Sequence, residues 1–366
     1  MFEKSIVVDV DDTISTHVDR DYANAIPHTD VIAKINEMYE SGWKIILHTA
    51  RGMLSCDNDP VLAEASRGPA LRTWLKKNDV KYHELMFGKP LALAYIDDKA
   101  MRPDEFSNAR FERIIGGSGA EIEIFNNRVI KNAPNAREQA LWYKTIANKQ
   151  PNVRVPRVMS NYNDTLDMEY IEGMSLNNCC TGDDLITVYE TINLIGNLPA
   201  ISSDWNTMVD RIKTHLSINA IPHEQEILKI ITSDVVSEYM TISASFCHGD
   251  MTFENAIVNR YGEVYFIDPN TPAGLYTSSL LDIGKVYQSL HFDYESVFGN
   301  SKSRINKPKL LEEFESLLTS EEIIYGKLCE MIHYIRMLKY KKNKFEKDLV
   351  RDIIDKLFRE DVSPCF

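Results

Sequence analysis

The sequence predicts two globular parts in series, an α/β domain built on a parallel sheet and then an α+β domain. Length is the first reason: 366 residues exceed the roughly 250–300 at which a single core stops growing. Patterning is the second. Residues 1–108 alternate short apolar runs with helical periodicity, whereas residues 109–366 open with closely spaced strands and continue in long helical stretches. The third is a change of texture at Met101-Arg102-Pro103-Asp104-Glu105-Phe106-Ser107-Asn108, which reads as a surface turn and sets the boundary.

In the first part, residues 5–8 and 44–47 are apolar runs of the kind found in buried parallel strands. Between them Thr29 or Asp30 is expected to cap a helix whose Val31, Ile32, Ile35, Met38 and Tyr39 share one face, with Gly42 as its stop. A right-handed crossover then joins the strands. A second helix is expected over 69–77 and a third strand over 93–96. Asp9, Thr49 and Asp97 thereby fall at the carboxyl edge, where open parallel sheets hold ligands. In the second part, residues 121–125 and 128–131 flank Asn126-Asn127 as a hairpin, because asparagine tolerates positive φ. Helical periodicity follows over 136–149, in much of 181–243 and from 279 onward, without internal repeat or low-complexity segment.

Composition narrows the function classes. At 44% hydrophobic and 26% charged residues the chain is globular, and its net charge of −13 opposes long-range attraction to nucleic acid or an anionic membrane. No run approaches the ~20 apolar residues of a membrane span, and Ile6-Val7-Val8 is too short for the core of a secretory signal. Six cysteines, without C-x-x-C zinc spacing, fit a reducing cytoplasm; Cys179-Cys180 reads as two unrelated thiols before it reads as a redox pair.

Asp9-Val10-Asp11-Asp12-Thr13 follows the first strand, and alternation along an extended chain points Asp9 and Asp11 to one side. Carboxylates that close call for a shared cation or proton. Hydrolysis of a phosphate ester needs a nucleophile, an acid and positive charge against the phosphoryl oxygens. Asp9 is expected to attack phosphorus, Asp11 to protonate the leaving group, and Thr49 and Lys89 to hold the transferred oxygens. Mg²⁺ is expected on Asp9, a carbonyl at Asp11, and Asp97 or Asp98. These residues, with His48-Thr49-Ala50-Arg51, Gly88-Lys89-Pro90 and Tyr95-Ile96-Asp97-Asp98, resemble in order the motifs of the haloacid-dehalogenase (HAD) superfamily. The resemblance implies a Rossmann-like HAD phosphatase domain, close to the compact phosphatases of capsule-polysaccharide biosynthesis. Asp12 departs from the glycine many members carry, and the short span from Thr49 to Lys89 leaves no room for a large cap.

The second constellation begins with Gly116-Gly117-Ser118-Gly119 between two strands, a lid over nucleotide phosphates rather than a dinucleotide loop. Lys131 ends a later strand and Glu138 lies in the following helix, the order of a Lys–Glu pair that orients ATP phosphates. His248-Gly249-Asp250-Met251-Thr252-Phe253-Glu254-Asn255 and the following Ile267-Asp268 supply a base, Asp250, and two Mg²⁺ ligands, Asn255 and Asp268. His248 is read as orienting its loop, and Tyr287, His291, Phe292, Tyr294 and Tyr334 as core packing before acceptor pocket.

About residues 110–300 resemble the aminoglycoside phosphotransferase and choline kinase superfamily, with His-Gly-Asp where protein kinases carry His-Arg-Asp. The resemblance implies an α+β bilobal protein-kinase-like domain, N-lobe about 109–170 and C-lobe 171–366. It also implies an adenine-receiving hinge at Met168-Glu169-Tyr170-Ile171-Glu172-Gly173 and a structural aspartate at Asp282; Asn270 departs from its pattern.

The expectation is a cytoplasmic bifunctional enzyme: a Mg²⁺-dependent phosphatase and an ATP-dependent kinase acting on small sugar or polyol phosphates, in capsule or surface-polysaccharide precursor synthesis. A nucleic-acid end-healing kinase and phosphatase is the rival enzyme, opposed by the acidic charge and the lack of G-x-x-x-x-G-K-[ST]. A nucleotide-binding regulatory pseudokinase fused to a phosphatase is the rival of another class. The sequence leaves both substrates and the oligomeric state open.

Overall fold

A computed structural model of the chain describes residues 4–16, 21–92, 95, 99–115, 120–125, 127–271, 274–298, 303–341 and 343–366. The chain divides into two compact units, Met1–Glu112 and Arg113–Phe366.

In the first unit, β1 (Ser5–Val8), β4 (Lys44–Thr49) and β5 (Glu84–Phe87) form a parallel sheet in the order β1-β4-β5. The register sets Val8 against Leu47 and Thr49 against Phe87, so strand ends that carry polar residues lie side by side. A two-stranded ribbon, β2 (Ser15–Thr16) with β3 (Ile26–Pro27), follows the first strand. Helix α1 (Thr29–Glu40) buries Val31, Ile32, Ile35 and Met38, the face that its i, i+4, i+7 spacing provides, and Gly42 beyond it takes φ +83°.

Three local expectations are revised here. His28 occupies the N-cap position without a side-chain cap bond, so Thr29 is the first helical residue rather than the cap. Helix α2 (Pro60–Lys77) starts nine residues before the expected Pro69: Asp59 caps it by accepting from Val61 and Leu62 N–H at 2.8 and 3.1 Å, and Pro60 sits at the first position, where no donor is required. Pro69 lies exposed inside this helix, tolerated although it cannot donate to the Ala65 carbonyl. The third strand of the described sheet is β5; of the stretch 93–96 expected as a strand, only Tyr95 falls within the described residues, in no regular element. Helix α3 (Pro103–Ser107), capped through Arg102 and Glu105, closes the unit.

The second unit has a sheet-and-helix lobe followed by a helical lobe. Its five-stranded sheet runs β6-β7-β8-β10-β9, from β6 (Phe111–Ile115), β7 (Glu121–Phe125), β8 (Arg128–Asn132), β9 (Val158–Tyr162) and β10 (Thr165–Glu169). Strands β7 and β8 pair antiparallel with Phe125 opposite Arg128, the register expected for strands flanking the asparagine pair; Asn126 itself lies outside the described residues. Helix α4 (Ala136–Lys149) packs on β9 and β10 through Trp142, Tyr143 and Ile146. A small antiparallel sheet, β11 (Gly173–Ser175), β12 (Ala256–Asn259) and β13 (Val264–Phe266), brackets the segment that carries Asp250.

The helical lobe comprises α5 (Leu176–Cys179), α6 (Gly182–Gly196), α7 (Trp205–Asn219), α8 (Glu224–Ile231), α9 (Asp234–Ile242), α10 (Ser279–His291), α11 (Tyr294–Phe298), α12 (Lys307–Leu317), α13 (Ser320–Met337) and α14 (Lys344–Leu357). One continuous core joins both lobes, from Trp142 and Leu166 to Tyr287, Phe314 and Tyr334. Helices α10 and α13 cross closely because Gly284 has no side chain; a Cβ there would lie 2.8 Å from the Cys329 backbone. Among the described residues no helix is long and apolar enough to cross a membrane.

Candidate functional site

In the first unit the end of β1 delivers Asp9, whose Oδ2 meets Lys89 Nζ at 3.1 Å. Lys89 is placed by the backbone: its N–H donates to the Thr49 carbonyl at 3.2 Å, while its ammonium lies 4.4 Å from the Tyr95 ring centroid. Thr49, fully buried at the end of β4, turns its Oγ1 inward to accept from Arg51 N–H at 3.0 Å. Arg51 is itself buried and pairs with both oxygens of Asp11, while its guanidinium stacks 4.3 Å from the Tyr22 ring. Asp12 holds φ +57°, and its N–H reaches the Ser15 carbonyl at 2.7 Å, so the chain bends sharply after the second carboxylate.

Asp9, Lys89, Thr49 and Asp11 thus stand at one edge of the sheet, three of them in ion pairs: Asp9 with Lys89, and Asp11 with Arg51. His48, beside Thr49, is held below the usual imidazole range by burial first and then by Lys89, against the pull of Asp9. The residue the sequence reading missed is Arg51, which engages Asp11 as that reading had left to a leaving group. Asking what neutralises Asp11 would have found it, two residues past Thr49. Asp97 and Asp98, expected as metal ligands, lie outside the described residues. Among the described residues no group of three or more His, Cys, Asp or Glu side chains is placed to hold a metal ion.

In the second unit the segment from Cys247 to Asn255 is fixed from below. Asp282, near the start of α10, accepts His248 N–H on Oδ2 and Gly249 N–H on Oδ1, both at 2.7 Å. Gly249 holds φ +79°, and a Cβ there would lie 2.1 Å from the Asn270 carbonyl oxygen, so no other residue fits. His248 is fully buried; its Nδ1 accepts from Asp250 N–H at 3.3 Å, which leaves Nε2–H to donate to the Ile267 carbonyl at 3.0 Å. Burial drives its pKa down to about 4, so the ring is neutral and serves as a strut between two loops rather than as a base.

That strut carries Asp250 and Asp268 on adjacent loops. Asn255 adds a second tie: Nδ2 donates to Asp250 Oδ2 at 3.1 Å and to its carbonyl at 2.9 Å, while the Asn255 carbonyl accepts from Ile267 N–H at 2.9 Å. Lys285, three residues past Asp282 on the same helix face, meets Asp250 Oδ1 at 3.0 Å. Burial alone pushes the Asp250 carboxyl up, but Lys285, His248 and the Asn255 bond outweigh it and hold the group below the ordinary carboxylate range.

Asp268 sits at φ +57°, with its N–H on the Tyr143 hydroxyl at 2.8 Å. Its Oδ1 receives Lys131 from β8 and Gln139 Nε2 from α4, the latter at 2.5 Å. Here the expected Lys131–Glu138 pair is corrected: Glu138 points to solvent, and Gln139, one position on and about 100° round the helix, faces the site. Gln139, Lys285 and Tyr143 are the contributors that the sequence reading missed. Glu169 ends β10, where its carboxylate accepts from Arg157 N–H at 3.2 Å. Gly116, Gly117, Ser118 and Gly119 lie outside the described residues.

A buried ion pair supports the same segment from the other side. Glu295 Oε1 and Ser289 Oγ share the Phe253 N–H at 3.1 and 3.0 Å, and Lys307 Nζ meets Glu295 Oε2 at 3.1 Å and the Ser289 carbonyl at 2.7 Å. Tyr287 and Tyr334 are wholly core, while Tyr294 remains part-exposed, with its hydroxyl pushed up by burial and by Asp250. Cys179 and Cys180 are free thiols pushed up, first by burial and then by Asp184, the opposite of an activated redox pair.

No family model and no curated protein matches the sequence. Among solved structures the chain is similar to a Vibrio cholerae protein whose description names no activity, at 35% identity over 29% of this chain and 88% of that one, with a TM-score of 0.28. It is similar to an ethanolamine kinase of Plasmodium vivax at 14% identity over 72% of this chain and 86% of that one, TM-score 0.45. A choline kinase of Streptococcus pneumoniae is similar at 14% identity over 68% and 92%, TM-score 0.44. Likenesses of this extent assign no family, and the functional reading rests on the side chains above.

Lys307 is expected to be structural to the site. Removing its charge leaves Glu295 buried without a cation, so Lys307→Met should cost about 3–5 kcal/mol in urea unfolding. A loss below about 1 kcal/mol would show that the pair does not brace the loop.

Proposed function

We propose that the second unit transfers the terminal phosphoryl group of ATP to a hydroxyl of a small molecule. The observation that carries this is the neutral His248 strut with Asn255, which sets a hydrogen-bonded carboxylate, Asp250, beside a loop whose carboxylate, Asp268, faces a lysine from the sheet. Asp250, kept ionised by Lys285, accepts the proton of the attacking hydroxyl. Lys131 and Gln139, now on Asp268, are the donors that phosphate oxygens would share.

The donor set fits Mg²⁺, which binds through one or two carboxylates and keeps positions for phosphate and water. Asp268 Oδ1 already attracts two nitrogen donors, and Asn255, with Nδ2 committed to Asp250, has Oδ1 left for a cation. Bound there, Mg²⁺ would neutralise charge on the phosphates; Asp268 and Asn255 would hold it.

For the first unit we propose an aspartyl-phosphate phosphatase, with Asp9 as nucleophile and Lys89 against the phosphoryl oxygens, favoured by the Asp9–Lys89 pair at the carboxyl edge of the parallel sheet. Asp11 serves as proton donor when its pair with Arg51 opens; Asp9, the Asp11 carbonyl and Asp97 or Asp98 are the proposed Mg²⁺ ligands. On this reading the domain boundary near residue 108 separates the two activities. Sugar or polyol phosphates of surface-polysaccharide precursor synthesis are the substrates the sequence motifs favour. The net charge of −13 opposes the rival that works on nucleic-acid ends.

Asp250→Asn is expected to lower ATP-dependent phosphorylation by about 10²–10⁴-fold while phosphate release from a sugar-phosphate panel persists. Asp9→Asn should do the reverse. Loss of both activities in both variants would contradict two independent centres. The acid limb of the kinase pH–rate profile should lie below the ordinary aspartate range near ~3.9 in the wild type. It should move upward in Lys285→Met, since burial then acts unopposed on Asp250; an unmoved limb would remove Lys285 from the account.

A further inference from the structure

Arg211 on α7 and Arg336 near the end of α13 are, among the described arginines, the two with a buried guanidinium nitrogen that has no hydrogen-bond partner. Arg51, Arg128, Arg154 and Arg351 each pair with an aspartate or glutamate. Among the described residues Arg211 and Arg336 pair with none, in a chain that carries 54 acidic against 41 basic residues. Both are part-buried, and each has a buried guanidinium nitrogen without a hydrogen-bond partner, Nη1 of Arg211 and Nε of Arg336. A buried charged donor left unsatisfied is costly, and native structures rarely keep two together without a ligand or a role.

The two helices pack on each other, and the guanidiniums lie within each other's field. Burial first, and Arg211 next, bring Arg336 down to about 10; burial and then Arg211 and Arg336 depress the buried His215. The pair is also tied to the transfer centre. Arg336 Nη1 donates to His333 Nδ1 at 3.4 Å, and His333 Nε2 donates to the Leu281 carbonyl at 2.8 Å, one residue before the Asp282 that holds the His248-Gly249 amides. The Asp250 charge reaches Arg336 as well.

We propose that Arg211 and Arg336 form an oxyanion site that takes a phosphate or carboxylate group of the acceptor, so that the alcohol phosphorylated by the second unit is itself an anion. Two guanidiniums offer a planar fork of donors that matches phosphate and carboxylate oxygens, and part-exposure leaves a way in. The acceptor role rests on the proposed kinase activity, whereas the anion site does not.

The test therefore has a binding arm and a turnover arm, both on the full chain. Inorganic phosphate is titrated calorimetrically into wild type and R211Q/R336Q, each saturated with ADP and Mg²⁺. The wild type is expected to show one more binding event than the variant, with R211K/R336K in between. The same number and affinity of events in all three would overturn the site, whatever the kinase does. In the turnover arm, glycerol 3-phosphate, glycerate and glycerol are compared as acceptors. An anionic acceptor is expected to be preferred, phosphate over glycerate or the reverse telling which group is held, and the single variants R211Q and R336Q should raise its KM about 10- to 100-fold with kcat within about threefold. Equal use of glycerol, or an unchanged KM in both single variants, would overturn the acceptor role.

Discussion

The second unit depends on the Asp282 carboxylate accepting two consecutive backbone N–H groups. Both bonds are 2.7 Å long and the side chain is 1% exposed. Burial pushes this carboxyl up to about 7, and the two amide donors oppose that push, since they stabilise the ionised form. With the amides of His248 and Gly249 held, the backbone turns through the left-handed glycine, the His248 ring spans to Ile267, and Asp250 and Asp268 are set on neighbouring loops. The geometry of the proposed transfer site is thus fixed by groups buried beneath it.

Charge is arranged around that frame so that each carboxylate of the proposed chemistry is already paired. Lys285 lies on Asp250, Lys131 and Gln139 on Asp268, Lys89 on Asp9 and Arg51 on Asp11. In both units a cation occupies the carboxylate that the proposed chemistry uses. A phosphate group entering either pocket would meet the same lysines, so binding exchanges one partner for another instead of creating a charge from nothing.

Much of this was legible in the residues. His248-Gly249-Asp250, Asn255 and Asp268 fall within one short stretch of sequence, so their spacing was readable, as was the antiparallel pairing of the strands on either side of the two asparagines. What escaped depends on angle or distance across the fold. Gln139 rather than Glu138 faces Asp268 because a one-residue change of helical phase decides which side chain points inward. Lys285 and Arg51 are partners from other elements, and no periodicity announces them. Helix α2 was cut short because Gly68-Pro69 reads as a start, whereas the Asp59 cap and Pro60 are the true one. Strand β5 was missed because Glu84 and Met86 face outward and dilute its apolar signal.

The central claim is that the Asp250 and Asp268 loops together bind a magnesium nucleotide for transfer. Equilibrium titration of ATP with and without Mg²⁺, into wild type and Asp268→Asn, tests it most directly. The account predicts that Mg²⁺ tightens ATP binding in the wild type and that the substitution removes that gain while leaving metal-free binding in place. Binding that ignores Mg²⁺, or a gain that survives in Asp268→Asn, would contradict it.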